Sequence, residues 1–186
     1  MRAIKRFFIR TINAEQSDIW DDHMNRIELP DVLAAFRSPA QFQRELAGLI
    51  DSRAGEGRSI VEVGCETAVT SLLLSAANEK TAIDINQRAI SLVEAAAAQL
   101  NKKLRVLVCD MFAMPFGNAE FDVVFNAGVI EHFSKEERAR ALSEYARIMK
   151  NDGLMIIAFP NHHCSPYRFA YLTMRLLGVW RFPSEY

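Results

Sequence analysis

Residues 59–71, Ser-Ile-Val-Glu-Val-Gly-Cys-Glu-Thr-Ala-Val-Thr-Ser, constrain the fold more than any other stretch. The run Ile60-Val61 with Val63 is β-branched and apolar, and reads as a buried strand. Gly64 then offers a sharp turn, and Val69-Thr70-Ser71-Leu72-Leu73-Leu74 reads as the helix that follows. A strand, a glycine turn and a helix N-terminus aim backbone N–H groups at one place, as nucleotide sites require. Glu62 is an acid in an otherwise apolar strand. A buried carboxylate is costly unless hydrogen-bonded, so Glu62 is expected to face the crevice. A second acid, Asp84, ends the next apolar run, Thr81-Ala82-Ile83. It lies 22 residues after Glu62 (84 − 62). That is close to the roughly 20 expected of an acid that binds ribose hydroxyls from a second strand.

Strand and helix patterns alternate from there. Strands are expected at about 59–63, 80–84, 104–109, 121–126 and 153–159, and helices at about 68–78, 86–101 and 134–150. Ser134-Lys135-Glu136-Glu137 has the spacing of a capping box. Asn151-Asp152-Gly153 reads as the turn into the last strand. Alternating βα units imply a mostly parallel sheet covered on both faces, with ligands at the carboxyl ends of its strands. Before them, Trp20-Asp21-Asp22-His23-Met24 and Ile27, Leu29, Val32, Leu33 and Phe36 give weak helical spacing broken by Pro30. Ser38-Pro39 is expected to open a clearer helix, carrying Phe42, Leu46, Leu49 and Ile50 on one face. The chain therefore divides into an N-terminal helical cap region at 1–57, a core at 58–160 and a C-terminal helical tail at 161–186.

These motifs together resemble the class I S-adenosyl-L-methionine (SAM) dependent methyltransferases. Glu62-x-Gly64-x-Glu66-x-Ala68 is similar to that family's first motif, an acid followed by glycines at alternate positions. Asp84 matches its ribose acid, and Cys109-Asp110-Met111 its adenine segment. Phe121 to Phe133 and Leu154 to Asn161 resemble its fourth and fifth strands with their loops. The resemblance implies a Rossmann-like, doubly wound α/β sheet of strand order 3-2-1-4-5. It also implies that the family's last two strands are absent, as in a truncated domain, because nothing after Phe159 reads as a strand. It further implies a methyl transfer that converts SAM to S-adenosyl-L-homocysteine. The cofactor-binding residues implied are Glu62, Gly64, Cys65, Glu66, Asp84, Ile85, Asp110, Met111 and Asn126. His132, just past strand four, is the candidate general base.

Glu66 and Ala68 depart from the motif, since glycine suits close backbone approach and positive φ. Glu66 is expected either to point to solvent or to receive the ligand's ammonium group. The departure motivates an alternative function, a degenerate methyltransferase-like domain that binds without turnover. A nicotinamide dehydrogenase would need Gly-x-Gly-x-x-Gly, and Glu66 and Val69 break that pattern.

A net charge of −1 gives no basic surplus for nucleic acid, so a small-molecule acceptor is expected. Three scattered cysteines, at 65, 109 and 164, fit no disulfide framework and favour a cytoplasmic setting. His162, His163 and Cys164 are adjacent, with no second cluster to complete a tetrahedron, so no metal is expected. His23, in an acidic run, receives no role. Residues 1–10 are basic and apolar, and could at most touch a membrane surface peripherally. The apolar tail from Phe169 to Trp180 is expected to lack cover.

Overall fold

A computed structural model describes residues 20–159, 161 and 164–178 of the 186-residue chain. Its centre is a five-stranded sheet of order β3-β2-β1-β4-β5, parallel throughout. The strands are β1 (Ser59–Val63), β2 (Glu79–Asp84), β3 (Arg105–Val108), β4 (Phe121–Ala127) and β5 (Met149–Ala158). The helices are α1 (Leu29–Arg37), α2 (Gln41–Ala54), α3 (Val69–Leu73), α4 (Gln87–Gln99), α5 (Lys135–Ile148) and α6 (Ser165–Leu176). Residues 20–24 are also helical.

Side-chain alternation along each strand divides the core between the two faces. Ile60, Val123 and Phe125 pack against Leu46, Ala47 and Ile50 of α2. Val61, Val63 and Val124 pack on the other side with Ala141, Tyr145 and Ile148 of α5. Crossing from β1 to β4 reverses the winding direction, so the carboxyl ends of these strands open a crevice between them.

Several boundaries depart from the sequence pattern. Pro30 opens α1 in its first turn, where a missing N–H costs nothing, rather than interrupting it. Ser38 closes α1, and Ala40 is the N-cap of α2, so Ser38-Pro39 is a link and not a helix start. Helix α3 stops at Leu73, and the Asp51 carboxylate accepts the Ser75 N–H just beyond it. The segment Asn151-Asp152-Gly153 lies inside β5, which begins at Met149 and shifts register against β4 between Phe121 and Val123. A Cβ on Gly153 would sit 2.9 Å from the Lys150 carbonyl oxygen and 3.0 Å from that of Asp122, so the irregular strand needs glycine there. The expected capping box at Ser134 forms, with the Ser134 hydroxyl accepting from the Glu137 N–H.

Among the described residues no helix is long and apolar enough to cross a membrane. Phe169, Leu172, Leu176 and Leu177 of the C-terminal segment are exposed. The basic N-terminal stretch, His162, His163, Val179 and Trp180 lie outside the described residues.

Candidate functional site

The loops at the carboxyl ends of β1 to β4 surround a cavity of about 390 Å³. The turn after β1 has an unusual backbone. Gly64, Glu66 and Ala68 all take left-handed φ, at 73°, 49° and 50°. The alternate positions at which the family motif places glycine are thus the positions that need it, and here two L-residues accept that strain. Gly64 has no such latitude. A Cβ there would lie 2.7 Å from Val129 Cγ2, and Val129 lines the cavity.

Asp84 holds the neighbouring loops together. Its Oδ2 accepts the Glu66 N–H at 2.9 Å and its Oδ1 accepts the Asn86 N–H at 2.9 Å. Each carboxylate oxygen still has a lone pair to offer a ligand hydroxyl. Ile85, beside it, is an apolar wall with 72% of its surface exposed. Asp110 accepts the Phe112 N–H on Oδ1, which shapes the loop that presents Met111 to the cavity. Phe112 and Phe133 meet edge to face, 5.3 Å apart, on the same wall. His132, on the 3₁₀ turn Ile130–His132 after β4, also lines the cavity.

Three expected site residues lie elsewhere. Glu62 does not face the crevice. It shares the sheet face of Ile60, and its carboxylate is buried beneath α3, where Oε2 accepts from Ser71 Oγ at 2.5 Å and from Ser71 N–H at 3.3 Å. Loss of water pushes its pKa up to about 8, despite the Ser71 hydrogen bonds. Cys65 turns into the apolar cluster of Ala68, Ala82, Ile90 and Val93, and burial pushes its thiol pKa up. Asn126 is fully buried on the α5 side, donating from Nδ2 to the Val63 carbonyl at 2.7 Å and to the Tyr145 hydroxyl at 3.2 Å. Ala127 and Gly128 form the cavity wall in its place. Gly64, Glu66, Asp84, Ile85, Asp110, Met111 and His132 all line the cavity.

Residues 20–28, within the N-terminal region expected as a helical cap, form a strap beside the cavity. Trp20, Asp21 and Met24 line the cavity from this segment. Arg88 donates to the Met24 carbonyl at 2.9 Å and the Ile27 carbonyl at 2.8 Å, and pairs with Glu28 at 2.9 Å. Asn86 Nδ2 donates to Asp21 Oδ1 at 2.6 Å, and His23 Nε2 donates to Glu66 Oε1 at 2.7 Å. The one sequence-level clue was a Trp and a Met among acids in a segment without strong periodicity.

A family model described as "Methyltransferase domain" matches residues 61–157, more than half of the chain. The chain belongs to this family, whose SAM-dependent members use SAM as cofactor, and its Rossmann-like sheet is that of a class I methyltransferase. A "Probable S-adenosylmethionine-dependent methyltransferase" of Mycobacterium tuberculosis is 30% identical over 105 residues, 56% of this chain and 36% of that protein. The mouse "Probable tRNA methyltransferase 9B" is 43% identical over 58 residues, 31% of this chain and 13% of that one. The chain thus spans well under half the length of these relatives. Among solved structures, the PH0226 protein of Pyrococcus horikoshii superposes with a TM-score of 0.63 at 21% identity, over 73% of this chain and 65% of that one.

The residues present fit SAM on chemical grounds. The cavity combines carboxylates, which suit ribose hydroxyls, an amino group and a sulfonium, with apolar walls at Ile85 and Met111 for a flat base.

Proposed function

We propose that this chain transfers a methyl group from SAM to a small-molecule acceptor. One observation carries the choice of acceptor. Among the described residues the cavity is lined by Asp21, Glu66, Asp84 and Asp110, and by no Lys or Arg. Such a lining attracts a cationic cofactor and repels a polyanion. A nucleic-acid acceptor draws most of its affinity from Lys and Arg at the phosphates. The name of the mouse relative includes tRNA, but that protein shares only a short segment with this chain.

SAM supplies, when bound, a methyl group on a sulfonium, which is transferred with departure of S-adenosyl-L-homocysteine. Asp84 accepts the ribose hydroxyls while continuing to brace the loops after β1 and β2. Asp110 accepts the adenine amine, and the Met111 N–H donates to the ring. Gly64 allows the backbone to approach the methionine end. His132 takes the proton that the acceptor loses. With cofactor and acceptor fixed in line, positioning supplies much of the rate.

Asp84→Ala tests the site. Two hydrogen bonds to a charged acceptor contribute about 1.5–3 kcal/mol each, so S-adenosylhomocysteine binding is expected to weaken tenfold or more. Isothermal titration calorimetry measures this, and circular dichroism confirms that the sheet survives. An unchanged Kd in a folded variant would remove Asp84 from the site. Binding without methylation of any amine, hydroxyl or carbon acid would favour the non-catalytic alternative.

A further inference from the structure

Glu66 occupies a left-handed position where glycine is expected, and its side chain does not simply enter solvent. Its backbone is held by Asp84, through the N–H bond at 2.9 Å. Its carboxylate reaches His23 on the strap, whose Trp20, Asp21 and Met24 line the cavity. Because a carboxylate accepts, His23 Nε2 carries the proton in this contact. The strap's other tethers, from Arg88 and Asn86, run to the start of α4 and the loop before it. They fix one side of the strap, next to β2. The His23–Glu66 contact fixes it to the loop after β1, and the Trp20 ring closes it against His132, 5.3 Å away and edge-on. Trp20 also packs edge-on against His23 at 5.9 Å, so a displaced His23 removes support from both. Together these contacts place the strap across the three loops that line the cavity after β1, β2 and β4.

We propose that Glu66 is a positioning residue that fastens residues 20–28 across the cavity through His23, so that a bound ligand leaves only when this pair parts. The proposal rests on the reading of the cavity as the cofactor site. Glu66 thereby replaces the freedom of glycine with a side-chain tether, which requires a Cβ at this left-handed position. Both partners are partly exposed, so the tether is modest and its main effect is on ligand departure.

The test is a double-mutant cycle of His23→Ala and Glu66→Ala, which keeps a Cβ at the left-handed position. Stopped-flow displacement measures the release of S-adenosylhomocysteine from the whole chain. Each single variant is expected to release it about threefold faster, as a partly exposed pair implies, and the double variant no faster than either single. His23→Gln, which keeps a donor, is expected to restore most of the slow release. Multiplied effects in the double variant, or unchanged release in the singles, would overturn the proposal. Hydrogen exchange of the ligand-free chain separates this from failure of the site. The Asn25, Arg26 and Ile27 amides, bonded to the Asp21, His23 and Met24 carbonyls, are expected to exchange faster in both singles by one shared factor. If the wild type binds no S-adenosylhomocysteine, the cofactor reading fails. The exchange data then still decide whether the pair holds the strap, and unaltered exchange sinks the tether.

Discussion

Gly64→Ala is expected to destabilise the chain by about 3 kcal/mol, from left-handed strain of ~1–2 kcal/mol and overpacking of ~1–3 kcal/mol. For a chain of this size that lowers Tm by roughly 10 °C. The cause is local and double. Gly64 takes a φ of 73°, and its missing Cβ leaves room for Val129, whose two methyl carbons would stand 2.7 and 3.1 Å from it. Val129 follows β4 and lines the cavity, so the same contact sets how closely the loops after β1 and β4 approach. The two causes separate in a second background. With Val129→Ala already made, the clash is gone and only the backbone strain remains, so Gly64→Ala should then cost about 1–2 kcal/mol. Thermal melts of the four proteins measure the difference. A Gly64→Ala protein melting within about 2 °C of the parent would show that the turn relaxes freely.

The same turn shows what the sequence could and could not disclose. Local patterns were legible. The run Ile60 to Val63, the glycine, and Asp84 at the end of β2 each announce their place through residue type and spacing, and Ser134 announces its helix through capping chemistry. What failed depended on contacts distant in sequence. Strand alternation places Glu62 and Asn126 on definite faces, but whether a face opens on the crevice depends on α3 and α5, which cover them. His23 looks like a surface residue until the fold brings it to Glu66, 43 positions away. Gly153 reads as a turn because glycine serves turns and bulges equally, and only the register against β4 distinguishes them. The helical cap itself was expected, but the helix boundaries within 20–37 were blurred for a related reason. Its apolar residues contact α3 and α4 in a small satellite cluster, too sparse to show a strong period.

The buried carboxyl that strand alternation directs beneath α3 leads to the second large expectation. Glu62 carries its proton to about pH 8 in the folded chain because it has lost its water, whereas its ordinary value is 4.5. Between these values the folded chain binds a proton that the unfolded chain has released. Stability contributed by this group is therefore fully present below about pH 4.5, falls as pH rises, and is lost above about pH 8. At about 1.4 kcal/mol per pH unit, the swing across the window is roughly 5 kcal/mol. Other carboxylates act in the opposite sense at lower pH, so the informative quantity is the difference between the parent and Glu62→Gln. The amide is nearly isosteric, stays neutral at every pH and can still accept from Ser71 Oγ, whose bond to Glu62 is 2.5 Å. Urea melts at intervals from pH 5 to 9 should show Glu62→Gln near the parent at pH 5 and more stable by several kcal/mol at pH 9. Parallel curves would mean that Glu62 ionises normally in the fold. A neutral Glu62 also has a consequence for the cavity above it. Glu66 and Asp84 already raise its pKa by their charge, so keeping the proton spares that end of the sheet a third negative charge, while Ser71 holds α3 against β1 through the same carboxyl group.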